Sequence, residues 1–291
     1  MSYPRLVCMT ALALIAFAAN SLLCRAALAD GSIDAASFTS IRLLAGAAVL
    51  WLIVRLRAGN AVGKGNWLSA LALFAYAAGF SFAYIELSTA TGALLLFGAV
   101  QSTMIGYGLY RGERLRLPQL GGLLLAIGGL VGLLLPGLSA PPPLASALML
   151  GAGMAWGIYS LRGKGAGDPL QVTAGNFLRA VPIALILSTA TLGDIVLQHW
   201  AGIAYAIASG ALASGLGYAV WYSALPALKA TTAASVQLSV PVIAALGGVV
   251  LLAEPLSLRL LLASLAILGG IALVILTGQR SKPAANAAPS V

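Results

Sequence analysis

Arg42 and Arg179 are the two cations of this sequence that fall inside long apolar stretches, each seven or eight residues from the stretch's start. On a helix that is roughly 10–12 Å from the end. A cation at that depth is costly and usually faces a cavity or a partner helix. One role for the pair is a set of cationic vestibule groups that attract a carboxylate. The other is snorkelling to lipid headgroups, or pairing with a nearby acid. A second set is polar and uncharged: Asn20, Ser21, Thr39, Gln101, Ser102, Asn176, Gln237 and Ser239. An amide accepts and donates at once, so it can hold an amino or carboxylate group; it can equally bond one helix to another. Gln101 and Gln237 stand out because they fall in adjacent turns of two helices.

Aromatic residues form the third set. Tyr76, Phe80 and Tyr84 recur every four residues, and Tyr218, Trp221 and Tyr222 share a face of a later segment. Phe97, Trp156 and Tyr159 complete a ring. Such a face can receive an aromatic or aliphatic side chain. The same rings could instead be packing, or an interfacial belt, which is the role read for Trp51, Trp67 and Trp200. No carboxylate lies at the middle of any span, and Glu86, at a helix end, is the nearest candidate for proton coupling. The only histidine, His199, falls between spans. No metal-ligand cluster, phosphate-binding loop or nucleophile–base pair is present, so no cofactor is implied and an enzyme is disfavoured.

The elements that must position these residues follow from composition. Of 291 residues, 60% are hydrophobic and 8% charged, with mean hydropathy +0.99. A soluble domain carries about 25% charged residues, so this surface faces hydrocarbon. The 34 glycines suit close helix contact in a bilayer. Stretches of about 20 apolar residues mark spans. They lie near 6–28, 35–56, 67–87, 90–110, 117–135, 144–162, 171–192, 201–224, 229–252 and 256–277. Ala27-Leu28-Ala29 resembles a signal-peptidase site, but the preceding stretch is long and Arg25 interrupts it, so it is read as the first helix. Cys8 and Cys24 share that helix, too far apart to pair. Pro182 and Pro241 predict kinks, and Gly128-x3-Gly132 offers a close contact that would suit a homodimer.

The net charge of +9 is read as the positive-inside bias and not as a nucleic-acid signal. With the N-terminus inside, cytoplasmic ends hold twelve of the sixteen basic residues, among them Arg55, Lys64, Arg111, Arg162, Lys164, Lys229, Arg280 and Lys282. Five of the seven acids (Asp30, Asp34, Glu86, Asp194, Glu254) fall outside. Both termini are therefore expected in the cytoplasm of a bacterial-type inner membrane. The chain also matches itself at an offset of 141, which lays Glu113 on Glu254 and Gly128-Gly129 on Gly269-Gly270. Nearer the start the offset is 137, pairing Arg25 with Arg162 and Arg42 with Arg179. The expected division is 1–138 and 139–291, the second half ending in a short cytoplasmic tail. Five helices is an odd number, so the halves would be inverted repeats, an arrangement typical of secondary transporters.

This layout resembles the EamA-type members of the drug/metabolite transporter superfamily: ten helices, two sets of five, and a Glu closing helices 4 and 9 ahead of a Leu- and Gly-rich helix. Within that family, Phe80–Ile85 and Thr91–Met104 look like the branch containing the aromatic amino-acid exporter YddG. The resemblance implies an all-α polytopic membrane protein, ten transmembrane helices in two inverted five-helix repeats. Helices 1–4 and 6–9 would form a basket round a central cavity, with 5 and 10 peripheral. It further implies alternating-access export of small amphipathic metabolites, with aromatic and other neutral amino acids favoured. A channel-like facilitator remains as an alternative. So does a carrier of sugar phosphates or nucleotide sugars, which would want a denser cluster of Lys and Arg.

Overall fold

Ten spans of the computed structural model follow one another with short connections; residues 2–58, 64–112, 114–137, 140–163, 167–191, 199–228 and 230–279 are described. The first seven are α1 (Tyr3–Leu28), α2 (Ala35–Ala58), α3 (Trp67–Ala83), α4 (Thr89–Tyr110), α5 (Leu117–Leu134), α6 (Pro143–Gly163) and α7 (Pro169–Ala190). The eighth, α8, starts as Trp200–Ala208, passes through a π-helical stretch Ser209–Leu216, and resumes as Gly217–Ala224. The ninth, α9, consists of Ala230–Gln237 and Ser239–Leu252, and α10 is Leu258–Gln279. Among the described residues nine spans are long and apolar enough to cross a membrane; α3, with 17 residues, is shorter. The protein is an all-α, multi-pass membrane protein.

Local chemistry sets the helix starts. Asn66 Oδ1 accepts the Ser69 amide at 2.9 Å ahead of α3, and Asp168 Oδ1 accepts that of Leu170 at 3.0 Å ahead of α7. Each satisfies an amide that has no intrahelical partner. Pro143 and Pro169 open α6 and α7, where a missing N–H costs nothing. Leucines such as Leu124, Leu216 and Leu265 point outward, as hydrocarbon allows.

Packing follows a pattern. The span α3 lies on α6 as α8 lies on α1; α4 lies on α6 as α9 lies on α1; and α3 meets α7 as α8 meets α2. The remaining main pairs are α2 with α7, α4 with α9 and α5 with α10. Adding five to each helix number maps these contacts onto one another. The α5–α10 contact is backbone on backbone: a Cβ at Gly122 would meet the carbonyl of Gly270, and one at Gly129 would meet Ala266 and Ile267.

Two expectations change. α3 ends at Ala83, not 87, because Ser88 adopts an extended conformation to cap α4; Tyr84 is therefore the last turn's cap. α7 runs unbroken through Pro182, whereas α9 breaks at Leu238, three residues ahead of Pro241. A proline ring clashes with the carbonyl four residues before it, here that of Gln237, next to the break. Gly128 and Gly132 face open space, outside the α5–α10 seam that Gly122 and Gly129 form. The basic residues Lys164, Lys229, Arg280 and Lys282, and the acids Glu113 and Asp194, lie outside the described residues.

Candidate functional site

Four helices bring polar groups to one level inside the bundle. Arg42 on α2 is 2% exposed, and its Nη2 donates to the Tyr76 hydroxyl of α3 at 2.9 Å. Asn20 of α1 donates its Nδ2 to the same hydroxyl at 3.2 Å. The Ser209 hydroxyl, from the π-helical stretch of α8, donates to Asn20 Oδ1 at 2.6 Å. The π-helical stretch is what brings α8 this close. A Cβ at Gly210 would collide with the carbonyl oxygen of Arg42, so only glycine lets α8 touch α2 at this turn. Insertions of this kind recur at functional sites.

The guanidinium of Arg42 lies 5.1 Å from the Tyr76 ring centroid and 4.9 Å from that of Phe80. Its Nε and Nη1 are buried without a hydrogen-bond partner. No carboxylate pairs with it among the described residues, where the ion pair is Arg25–Glu254. An unpaired buried charge costs several kcal/mol. A cation–π contact returns about 0.5–2 kcal/mol, so the rings offset only part of that. The node is an anion-seeking one.

Tyr76 also belongs to the aromatic cluster. Its ring centroid is 4.8 Å from Trp156 of α6, which stacks on Tyr159 at 5.2 Å and on Tyr218 of α8 at 5.4 Å. Phe177 of α7 meets Tyr218 edge-on at 6.0 Å, and Tyr222 lies 6.4 Å from Tyr218. The rings expected around a central cavity thus pack on one another, as apolar faces do when brought together. Trp156 and Tyr222 keep part of their surface accessible, while Tyr76, Tyr159 and Tyr218 are buried. Cavities of about 270 and 610 Å³ lie elsewhere: the first beside Ile33 and Phe82, the second an apolar groove between α4, α9 and α10.

The other candidates separate. Phe80 is edge-on to Tyr84 at 4.7 Å, and Tyr84 donates its hydroxyl to the Thr89 carbonyl at 3.3 Å over Gly92, which leaves no room for a Cβ. Tyr84 is therefore a packing residue. Asn176 donates to the Tyr159 hydroxyl at 3.4 Å and accepts the Asn66 amide at 2.9 Å, on the α2–α3 side of the cluster. Arg179 turns back onto its own helix, donating to the Gly175 carbonyl at 2.9 Å, so the two arginines are not equivalent. Trp221 sits with Phe17, 5.8 Å away, in a small cluster with Ala13 and Ala233, and Phe17, itself 5.8 Å from Tyr218, links it to the other rings. Phe97 is buried in the apolar core and joins none of these ring pairs. Gln101 is buried and Gln237 half-buried beside the α9 break; neither side chain hydrogen-bonds among the described residues. Ser102 is exposed, and Thr39 donates to Ser81 at 2.8 Å.

Sequence reading missed Ser209, Phe17 and Phe177. A signal for the first existed in the run Ser209-Gly210, Ser214-Gly215-Leu216-Gly217, too rich in small residues to be lipid-facing filler. It also missed the tie at the C-terminal end of α1. There Arg25 Nε meets Glu254 Oε1 at 3.3 Å, and Arg25 Nη1 donates to the Tyr84 and Ile85 carbonyls at 3.0 and 2.8 Å. Glu254 in turn accepts the Thr89 amide at 2.8 Å. This cluster joins α1, the α3–α4 turn and the α9–α10 turn.

Comparison with known proteins adds the following. Residues 143–276 match the EamA-like transporter family. An uncharacterized protein of Pseudomonas aeruginosa is 60% identical over 272 residues, 93% of this chain and 94% of that one. The threonine/homoserine exporter RhtA of Escherichia coli K12 is 34% identical over 125 residues, 42% of each chain. RhtA of Salmonella typhimurium LT2 is 32% identical over 126 residues, again 42% of each. The chain spans less than half the length of these two exporters. One solved crystal structure superposes with a TM-score of 0.66 at 18% identity, covering 96% of this chain and 100% of that chain, which speaks to the fold alone.

Proposed function

The chain belongs to the EamA-like transporter family, and on that premise we propose that it is a secondary exporter of small amphipathic metabolites, neutral amino acids foremost. The observation that carries this reading is Tyr76. Its hydroxyl belongs to the Arg42 and Asn20 node, and its ring lies 4.8 Å from Trp156. A cationic group and a half-buried aromatic ring thus share Tyr76 as a common neighbour, as the headgroup and side chain of one amino acid would require. Apolar contact with Trp156 would supply binding energy, and the polar node orientation. Aromatic amino acids suit the rings; the threonine and homoserine of the RhtA name suit the polar node equally. Both are neutral amino acids.

The mechanism proposed is alternating access between residues 1–138 and 139–291. It is supported by the self-match of the sequence and by packing in which α3–α6 answers to α8–α1. Inverted halves can exchange conformations and expose one site to either side. Sugar phosphates fit less well, because Arg42 is the one buried cation among the described residues and Arg179 is turned onto its own helix. The test is exchange in liposomes holding the purified protein, screened with neutral amino acids and with a sugar phosphate. Saturable amino-acid uptake, stimulated by unlabelled amino acid inside, is expected. Linear flux without such stimulation would indicate a channel, and sugar-phosphate exchange alone would overturn the substrate class.

A further inference from the structure

Resting on that reading, we propose that Arg42 is the carboxylate seat of the transported molecule, and that each substrate must carry one free carboxylate. The argument is a count of donors. Arg42 offers Nε and Nη1 with no partner, and the Tyr76 hydroxyl already accepts from Arg42 and Asn20. Two accepted bonds occupy both lone pairs of that oxygen, which leaves its own O–H to be donated. No acceptor for it is found among the described residues. Three donors, two of them on the charged guanidinium, are therefore left beside one another with no acceptor. A carboxylate has two oxygens and about four lone-pair sites, and it satisfies such a set. The rings of Tyr76 and Phe80 lie over the guanidinium but accept no hydrogen bond from its free edge, and Asn20 and Ser209 are bonded to each other, so neither answers Nε or Nη1.

The same count sets the selectivity. One buried cation neutralises one carboxylate. A dicarboxylate or a phosphate dianion would bring a second negative charge into the bundle, with no cation among the described residues to meet it there. An amide or ester would offer one neutral carbonyl oxygen and no negative charge to the guanidinium, and a decarboxylated amine would leave Nε and Nη1 unpaired and place a second positive charge beside Arg42. Arg179 does not duplicate the seat, since its Nη1 is already bonded within α7. Arg25 does not either, since it is paired with Glu254.

The experiment is inhibition of labelled phenylalanine or threonine exchange, in liposomes, by each amino acid, its carboxamide, its methyl ester and its decarboxylated amine. For the wild-type protein, removing the carboxylate is expected to weaken inhibition at least about tenfold, the loss typical of one charge-assisted hydrogen bond. In Arg42→Gln the acid and the amide should inhibit within about twofold of each other. Arg42→Lys should keep part of the preference. Equal inhibition by acid and amide in the wild type would overturn the proposal, as would an undiminished preference in Arg42→Gln. If Arg42→Gln does not fold, Arg42→Lys and Tyr76→Phe carry the test, and an unchanged preference in both would overturn it. If no amino acid is exchanged at all, the transport reading fails separately. The seat is then read by thermal unfolding of the purified protein with 3-phenylpropionate or its amide. Stabilisation by the acid alone, lost in the Arg42 variants, upholds it; equal effects of acid and amide overturn it.

Discussion

At the scale of single residues, Tyr76 joins what could have been two unrelated features. Its hydroxyl holds Arg42 and Asn20, and its ring begins the chain of contacts through Trp156 to Tyr159 and Tyr218. Tyr76→Phe keeps the ring and removes the acceptor, leaving two buried donors without partners. Each such loss costs about 1–3 kcal/mol, so the variant should unfold at lower temperature than wild type in the same detergent and transport with a raised KM. An unchanged melting temperature would show that Arg42 and Asn20 find other partners. Sequence reading picked out Arg42, Tyr76 and Trp156 because a cation or a periodic aromatic within an apolar stretch is conspicuous. It could not tell Arg42 from Arg179, since that difference lies in where each side chain turns. Ser209 was missed for another reason: the run of small residues marked its stretch, but it reaches Asn20 through a π-helical stretch, which no 3.6-residue periodicity announces.

At the scale of elements, glycine decides how closely helices approach. Gly129 faces α10 with no room for a methyl group, while Gly128 next to it faces open space. Gly129→Ala should therefore be overpacked by about 1–3 kcal/mol and melt several degrees lower, and Gly128→Ala should melt as wild type does. Thermal unfolding of the two variants side by side checks this. Equal melting would mean that the α5–α10 seam yields without cost. The ten spans themselves were legible from hydropathy, because about 20 apolar residues can be little else. The exceptions are instructive. The end of α3 at Ala83 depends on the Ser88 cap of the next helix. The break in α9 fell at Leu238 and not at Pro241, because the ring's clash is with a residue one turn earlier.

At the scale of the whole molecule, topology and transport can be tested apart. In a Cys8→Ser, Cys24→Ala background, a cysteine at the exposed Asp30 should react with a membrane-impermeant maleimide in intact cells. One at Lys64 should react only after permeabilisation; the reverse pattern would invert the orientation expected from the charge bias. The division into two halves is a proposal, argued from the self-match of the sequence and from the paired helix contacts. The central claim is that the Tyr76–Trp156 region is where the cargo of this EamA-like transporter binds. Counterflow of labelled phenylalanine and threonine, in wild type and in Trp156→Ala, tests it most directly. The account predicts transient accumulation of label by the wild-type protein, and its loss in a Trp156→Ala variant that still folds. Absence of accumulation for every neutral amino acid in the wild type, or an undiminished overshoot in Trp156→Ala, would contradict it.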